Sequence, residues 1–378
     1  MKYSIKPREI IHSLTPYVPG TPVENIKNRY GLKTVYKLAS NENLCGVSEN
    51  VIREIKENIN EISYYPDGDA LLLKNRLAKF FCVDEKNIIL GAGSDELIMY
   101  ICITFLEKGD NVIQSWPAFI RYLQNAKIMA ATVKLVPLKN WKHNVKAIID
   151  SIDNKTKIVF IDNPINPVGT YLDISNFEWF MKRVPKNILI VLDEAYFEFV
   201  DKKDYPDGLY YLKKFPNLIV LRTFSKSYSL AGVRVGYGIC SFEIADWINR
   251  VRCPFNVNRV AQIAAAASLK ETSLYKRKIA KIKKEREYLQ KELTNAKIEF
   301  VPSNTNFILI NVKQDSSIVY EKLCRKGVIV RPMKGIKEIE NYIRLTISPK
   351  REVNKYVIKL LNEMRYQGLV WGQEVASL

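Results

Sequence analysis

Short apolar runs alternate with helix-like segments between about residues 87 and 240. This alternation is typical of a mainly parallel β-sheet covered by helices. The pattern therefore predicts an α/β fold whose larger domain contains a mainly parallel, seven-stranded sheet. The predicted strands are at residues 87–90, 111–114, 131–136, 157–161, 188–192, 218–221 and 235–239.

The pattern changes after this region. Residues 260–293 contain no glycine or proline and are rich in Ala, Lys, Glu and Leu, which predicts one or two long helices that could link two domains. Four strands and one helix are then predicted as a smaller α+β domain: strands at 300–301, 307–310, 328–330 and 342–346, and a helix at 317–326. We predict a large domain at 40–260, an interdomain helix at 261–289 and a small domain at 1–39 and 290–378.

The composition supports a large folded core, since 47% of the 378 residues are hydrophobic. Apolar runs such as residues 188–192 are too short to span a membrane, and Met1 does not lead into a signal peptide. The six cysteines form no C-x-x-C pair, and the only histidines are His12 and His143. A zinc site, a disulfide framework and a Ser-His-Asp triad are all disfavoured. We expect a cytoplasmic protein without a metal site.

The formal charge of +18 raises the question of a nucleic-acid or membrane partner. The basic residues are spread along the whole chain, and the one dense run, at residues 276–286, has a helical pattern. Such a run usually forms a solvated helix face. We therefore expect neither nucleic acid nor membrane as a partner.

Lys226 is the strongest candidate for chemistry. It follows a predicted strand, is flanked by Ser225 and Ser227, and precedes Gly232 and Arg234. A lysine becomes an imine-forming nucleophile when burial or neighbouring cations make its amine lose a proton easily. A glycine followed by an arginine also suits a phosphate. Because the chain is so rich in lysine, any single lysine would ordinarily be interpreted as an exposed, solubilising residue. The motifs around Lys226 therefore decide whether it carries chemistry.

Five motifs occur in a characteristic order along the chain: LTPYVPG at 14–20, KLASNEN at 37–43, YPDG at 65–68, GAGSDE at 91–96 and LRTFSKSYSLAGVR at 221–234. The series resembles the class I and II aminotransferases and, within them, the histidinol-phosphate aminotransferase family. The likeness covers nearly the whole chain. It implies a fold type I transferase that depends on pyridoxal 5'-phosphate, with Lys226 as the Schiff-base lysine, and a role in the biosynthesis of an amino acid, histidine.

The resemblance assigns further residues to the cofactor ring. Asp193, in DEAY at 193–196, would keep the pyridine nitrogen protonated, which makes the ring a better electron sink. Tyr196 and Asn166 would contact its phenolic oxygen, and Phe119 would stack on the ring. Without the resemblance, Asp193 would be read as a turn cap, Asn166 as part of a structural turn and Phe119 as a core aromatic. Glu194 has no assigned role.

A second group of residues is assigned to the cofactor phosphate. The segment 91–96 follows a strand and opens a helix, so its backbone N–H groups and helix dipole suit a phosphate, although Ser94 or Asp95 could simply be an N-cap. The resemblance places Tyr65 at the cofactor phosphate of the other subunit, which implies a homodimer. The residues that it assigns to the phosphate within one chain are Gly93, Ser94, Asp95, Ser225 and Arg234.

Two arginines are candidates for substrate binding. Arg344 alternates with apolar residues in a predicted strand, so its side chain could enter a cleft, and a guanidinium suits a carboxylate or phosphate. Arg331 is a second candidate, although either arginine could be a surface ion-pair partner. By resemblance, both would bind the anionic end of the substrate together with Tyr17. The implied reaction transfers an amino group between histidinol phosphate and 2-oxoglutarate.

Several positions depart from the family pattern. The family's usual NPNNPTG reads NPINPVG at residues 163–169, and Leu44, Cys45 and Trp116 are also unexpected. These departures keep other pyridoxal-phosphate enzymes open: an aromatic aminotransferase, a threonine-phosphate decarboxylase or a specialised amino-acid cyclase. A non-catalytic protein on the same fold would be expected to lack Lys226 or Asp193, and both are present.

Overall fold

The computed structural model describes residues 5–16 and 19–366. Its strands arise from the apolar runs of the sequence. In chain order they are β1 (Tyr36–Lys37), β2 (Ile88–Gly91), β3 (Asn111–Trp116), β4 (Thr132–Pro137), β5 (Thr156–Asp162), β6 (Leu189–Asp193), β7 (Leu218–Thr223), β8 (Gly236–Ile239), β9 (Phe300–Val301), β10 (Phe307–Asn311), β11 (Val328–Ile329), β12 (Arg331–Pro332) and β13 (Tyr342–Thr346).

The large sheet has seven strands in the order β2-β8-β7-β6-β5-β3-β4. Strands β3 to β7 are parallel to one another, and β8 is antiparallel to both of its neighbours. Every residue of β6 and β7 is buried, because helices cover both faces of the sheet. The predicted α/β fold with a mainly parallel, seven-stranded sheet is confirmed.

Polar side chains mark where several helices begin. Ser48, Asn144, Asp173, Ser241 and Asn258 each accept a hydrogen bond from a backbone N–H of the first turn, which satisfies a donor that the helix cannot. The helices are α1 (Val23–Tyr30), α2 (Glu49–Glu57), α3 (Leu71–Phe81), α4 (Ser94–Phe105), α5 (Ile120–Ile128), α6 (Val145–Asp150), α7 (Ile174–Met181), α8 (Gly208–Tyr211), α9 (Phe242–Val251), α10 (Arg259–Ser268), α11 (Thr272–Asn295), α12 (Ser316–Arg325) and α13 (Arg351–Tyr366).

The helical stretch predicted at residues 260–293 is two helices. A 3-10 turn, Leu269–Glu271, separates α10 from α11, although no glycine or proline lies there. Helix α10 buries its alanines against α2 and α3, whereas α11 packs on α13 and the second sheet. Among the described helices, none has the length and apolarity that a membrane crossing requires.

A second sheet has four antiparallel strands in the order β12-β13-β10-β9. Strand β1, from the N-terminal part of the chain, pairs in parallel with β11. These two strands form a separate two-stranded sheet. This pairing is compatible with an N-terminal contribution to the smaller domain, but the domain boundaries at 40–260 and 290–378 stay a prediction.

One edge of the large sheet collects the ends of its parallel strands. The carboxyl ends of β3, β5, β6 and β7 are Trp116, Asp162, Asp193 and Thr223. In open α/β sheets, ligands bind outside the carboxyl ends of the strands. Arg344 of β13 faces this edge from the second sheet, so the fold forms a cleft between the two sheets.

Candidate active site

A cavity of about 360 Å³ lies in this cleft. Its size is within the range of cofactor and small-molecule sites. Both sheets contribute to its walls. Of the residues assigned from the sequence, those that line it are Gly93, Ser94, Asp95, Phe119, Asn166, Asp193, Tyr196, Ser225, Lys226, Arg234, Arg331 and Arg344.

Lys226 projects its amine into the cavity just after β7. Its Nζ donates a hydrogen bond to the carbonyl oxygen of Ser40 at 3.0 Å and lies 5.7 Å from the centre of the Tyr196 ring. Burial, assisted by the cations of Arg344 and Arg234 and opposed by Glu42 and Asp193, lowers the pKa of Lys226 to about 7. A substantial fraction of the amine is therefore neutral, and hence nucleophilic, near pH 7.

This pKa predicts how cofactor uptake should depend on pH. Because the pKa is lowered to about 7, the reactive neutral amine increases as the pH rises through 7. The rate at which the visible absorption of the lysine-bound cofactor develops should therefore rise about tenfold between pH 6 and pH 8. Stopped-flow mixing of cofactor-free protein with pyridoxal phosphate measures this rate. A midpoint above pH 9 would show an ordinary lysine and contradict the assignment.

Asp193 is a buried carboxylate at the end of β6. Its Oδ2 accepts a hydrogen bond from Tyr122 Oη at 2.8 Å, and its Oδ1 accepts one from the backbone N–H of Ala195 at 3.1 Å. Burial raises the pKa of Asp193 to about 6 despite these bonds. A cation placed beside it would favour the charged form. Asp193 is thus suited to hold a protonated ring nitrogen, and Tyr122, stacked on Phe160, orients it.

Asp162 was not assigned from the sequence, but it orients one of the predicted residues. Its Oδ2 accepts a hydrogen bond from the backbone N–H of Asn166 at 2.9 Å. Asp162 and Asp193 are opposite each other in the β5–β6 register. The Asp162 carboxylate therefore fixes the turn that carries Asn166 beside Asp193. The sequence offers one signal for Asp162, which is its position at the end of a strand and directly before the turn at 163–169.

Tyr196 is buried against Phe307 of the second sheet. Its hydroxyl oxygen accepts a hydrogen bond from Asn41 Nδ2 at 2.9 Å, and Asn41 also bonds to Thr346. Asn41 lies in the KLASNEN motif, but nothing in its local pattern identifies this contact. The bond orients the tyrosine hydroxyl. Its O–H can therefore donate a hydrogen bond to a ligand in the cavity.

Three of the predicted phosphate residues are brought together. Gly93 has a φ of 87° immediately before α4, and a Cβ built there would lie 2.6 Å from Arg234 Nη2. Arg234 Nη1 in turn donates to Ser225 Oγ at 3.4 Å. The N-terminus of α4, a guanidinium and a hydroxyl thus form a cup at one end of the cavity, and such a cup suits a phosphate.

Asp95 and Phe119 have additional contacts. Asp95 is ion-paired to Arg121 of α5, with its Oδ1 2.6 Å from Arg121 Nε, so it also fixes α4 to α5. Phe119 is half-buried at the start of α5 and packs edge-on against Tyr122, with ring centres 5.5 Å apart. Its place on the cavity wall is compatible with stacking on a flat ring, and the cofactor roles of both residues stay predictions.

The two arginines reach the cavity from neighbouring strands of the second sheet. Arg331 and Arg344 are opposite each other in the β12–β13 register. Arg344 Nη1 donates to Asn166 Oδ1 at 2.6 Å, and its Nη2 donates to the carbonyl oxygen of Ala39 at 2.8 Å. Because Asn166 accepts through its oxygen, its Nδ2 is the group that can donate to a phenolic oxygen.

Tyr65 and Glu194 do not line this cavity. Tyr65 is 78% exposed, stacks on Phe255 and does not line the cavity of its own chain. Tyr17 lies outside the described residues. Glu194 faces away from the cavity and forms a buried ion pair with Arg222 at 2.7 Å. This pair joins the ends of β6 and β7, next to Asp193 and Lys226.

The chemistry of the residues that line the cavity fits pyridoxal phosphate. The cavity has an amine of lowered pKa, a carboxylate for a ring nitrogen, an aromatic side chain and, at its end, a cup in which the Arg234 guanidinium packs against Gly93. The residues that would hold the cofactor are Lys226, Asp193, Asn166, Tyr196, Phe119, Ser94, Ser225 and Arg234.

Comparisons with known proteins agree with this site. The model of the aminotransferase class I and II family matches residues 33–361. Histidinol-phosphate aminotransferases of Caldicellulosiruptor saccharolyticus and Carboxydothermus hydrogenoformans are 43% and 40% identical, and the matches cover 94% and 93% of this chain and 99% and 98% of theirs. The crystal structure of histidinol-phosphate aminotransferase from Sinorhizobium meliloti with pyridoxal-5'-phosphate has a TM-score of 0.86 at 25% identity, covering 97% of this chain and 98% of that one. The chain therefore belongs to the class I and II aminotransferases, which use pyridoxal phosphate, and within them to the histidinol-phosphate aminotransferase family.

Proposed function

We propose that this aminotransferase moves an amino group between histidinol phosphate and 2-oxoglutarate, in the biosynthesis of histidine. The observation that carries the proposal is the cavity in which Lys226 and Asp193 of the large sheet face Arg331 and Arg344 of the second sheet. The names of the similar enzymes support this choice of donor.

Lys226 has two tasks in the proposed reaction. Its neutral Nζ would hold the cofactor, and the same amine would take the proton from the substrate Cα. A pKa near 7 suits both tasks, because the amine can gain and lose a proton at neutral pH. When bound, the cofactor supplies an electron sink for the electrons that the Cα–H bond leaves behind.

The other residues orient the reacting groups and compensate their charges. Asp193, held by Tyr122, would keep the ring nitrogen protonated, and Asn166 and Tyr196 would donate to the phenolic oxygen. Arg331 and Arg344 would bind the anionic end of the donor and the carboxylates of the oxo acid. The net change is exchange of the donor's amino group for the oxygen of 2-oxoglutarate, which yields glutamate.

A panel of amino donors tests the substrate. Each donor is mixed with the pyridoxal-phosphate form of the protein, and loss of the visible absorption is followed without an oxo acid. We expect histidinol phosphate to react at least about tenfold faster, in kcat/KM, than phenylalanine, which lacks the phosphate, or threonine phosphate, which lacks the ring, since one lost contact costs about 1–3 kcal/mol. No response to histidinol phosphate together with a strong response to another amine would overturn the proposal in favour of an aromatic aminotransferase, a phosphothreonine decarboxylase or a cyclase.

We also propose a homodimer in the cytoplasm. An exposed, partly apolar surface surrounds Tyr65 and includes Ile62, Tyr64 and Leu72, which would be buried by a second copy of the chain. The six cysteines form no disulfide, which is compatible with a reducing compartment. Sedimentation at the mass of one chain would contradict the dimer.

A further inference from the structure

A loop between two strands of the second sheet, β12 and β13, forms one side of the substrate cavity. This stretch, the wall segment (residues 333–339), directly follows β12, and its Met333 and Ile336 line the cavity. The backbone N–H of Met333 donates a hydrogen bond to the carbonyl oxygen of Tyr342 at 3.0 Å. The backbone N–H of Ile339 donates one to the carbonyl oxygen of Ile336 at 2.8 Å. The second sheet therefore holds the wall segment at its first residue, Met333, whereas the bond between Ile339 and Ile336 lies within the segment.

The large sheet holds the wall segment near its C-terminal end. Trp116, the last residue of β3, donates a hydrogen bond from its indole Nε1 to Glu338 Oε2 at 2.7 Å. Glu338 lies on the single 3-10 turn of the wall segment, Lys337–Ile339. This bond therefore connects the carboxyl edge of the large sheet directly to the cavity wall.

Apolar packing reinforces the same connection. Ile165 and Val168, in the turn that carries Asn166, are completely buried in a cluster with Met333 and Ile339 of the wall segment. Leu309 and Tyr342 of the second sheet complete the cluster. The turn that holds Asn166 and the wall segment thus form one packed unit across the cleft.

Three of the positions that depart from the family pattern take part in this one contact. Trp116 is far from Ile165 and Val168 in sequence, yet all three face the wall segment. Ile165 and Val168 do not line the cavity, so they do not touch the substrate directly. The departures are therefore better explained by the position of the wall segment than by new substrate contacts.

We propose that Trp116 and Glu338 are positioning residues that hold the wall segment against the large sheet, so that Met333 and Ile336 form a fixed apolar wall for the ring of the amino donor. The inference rests on the proposed function, since a donor with a flat, weakly polar ring beside an anionic end is the class that such a wall and two arginines fit. A shorter oxo acid without a ring gains nothing from the wall.

Kinetics of the Glu338→Ala variant test the proposal. We expect KM for histidinol phosphate to rise about three- to tenfold, as for loss of one charge-assisted hydrogen bond, with kcat and the KM for 2-oxoglutarate within about twofold of the original. Glu338→Gln, which keeps an acceptor oxygen, should recover most of the loss. Glu340→Ala changes a neighbouring exposed glutamate of the same region and serves as the matched control.

Two further comparisons separate this role from a general structural one. Trp116→Phe keeps an aromatic ring but lacks the N–H, and the double variant Trp116→Phe/Glu338→Ala should be no worse than the poorer single variant, because both remove the same bond. The visible absorption of the bound cofactor should be unchanged in all of them. A changed absorption would mean that Trp116 acts through Phe119, and it would overturn the proposal.

Hydrogen–deuterium exchange gives a readout that does not depend on the substrate. The peptide that spans the wall segment should exchange faster in Glu338→Ala than in the unchanged enzyme or in Glu340→Ala. Unchanged exchange and unchanged KM would overturn the inference. Failure of the proposed function would differ, because the unchanged enzyme would then not respond to histidinol phosphate, whereas the exchange difference would persist.

Discussion

Replacing Lys226 with alanine is expected to abolish the visible absorption of the cofactor-loaded protein and to lower kcat by at least about four orders of magnitude. The variant loses both the amine that binds the cofactor and the base that moves the Cα proton, and removing such a base alone costs two to four orders of magnitude. Absorbance after reconstitution with pyridoxal phosphate and steady-state transamination measure the two effects.

Two controls show that the effect belongs to this amine. Lys226→Arg keeps a cation in the same place but cannot form an imine, so it should be as inactive as the alanine variant. Lys276→Ala removes an exposed lysine of α11 and should leave both absorption and turnover unchanged. A Lys226→Ala protein that remained yellow and turned over substrate would refute the assignment.

Arg344→Lys is expected to lower kcat/KM for histidinol phosphate by about two to three orders of magnitude. Arg344 is held by Asn166 Oδ1 and the carbonyl oxygen of Ala39, so its position is fixed before the substrate binds. A lysine keeps the charge but loses bidentate recognition and leaves these acceptors without their donors, which together cost about 3–4 kcal/mol. Kinetics at saturating 2-oxoglutarate measure the loss.

Arg331→Lys is the matched comparison for this prediction. Arg331 lies beside Arg344 in the register but on the outer strand β12, and we expect its replacement to cost only about tenfold. Thermal unfolding of both variants shows whether the fold is retained. If the two variants lost activity equally, or if Arg344→Lys were fully active, Arg344 would not be the main anion-binding residue.

The sheet could be predicted closely because its strands are buried on both faces. Strands such as β6 and β7 therefore appear as unbroken apolar runs, and every predicted strand of the large sheet overlaps an observed one. The direction of β8 could not be predicted, since an apolar run is the same in a parallel or an antiparallel strand. The sequence left open whether residues 260–293 form one helix or two, because no glycine or proline marks the end of α10.

The site was predictable where a local motif carries the chemistry. Lys226, Asp193 and Gly93 belong to short patterns at strand ends, and the structure brings all three to one cavity. The residues that orient them were not predictable in this way. Asn41 acts on Tyr196 across 155 positions, and Tyr122 acts on Asp193 across 71, so only the folded chain reveals these partners.

The departures from the family pattern show the same limit. In the sequence, Trp116 and the altered motif that contains Ile165 and Val168 are separate irregularities that leave the substrate open. In the structure they form one contact with the wall segment. Their significance depends on long-range packing, which periodicity and local motifs do not record.

Reduction of the cofactor-loaded protein with borohydride, followed by peptide mass mapping, tests the central claim most directly. Borohydride converts an imine between a lysine and the cofactor into a stable covalent bond, so the modified lysine can be identified. We predict one pyridoxyl group per chain, on Lys226, in the segment 221–234. A modification confined to another lysine, or a protein that remains unmodified after reconstitution and reduction, would contradict the assignment.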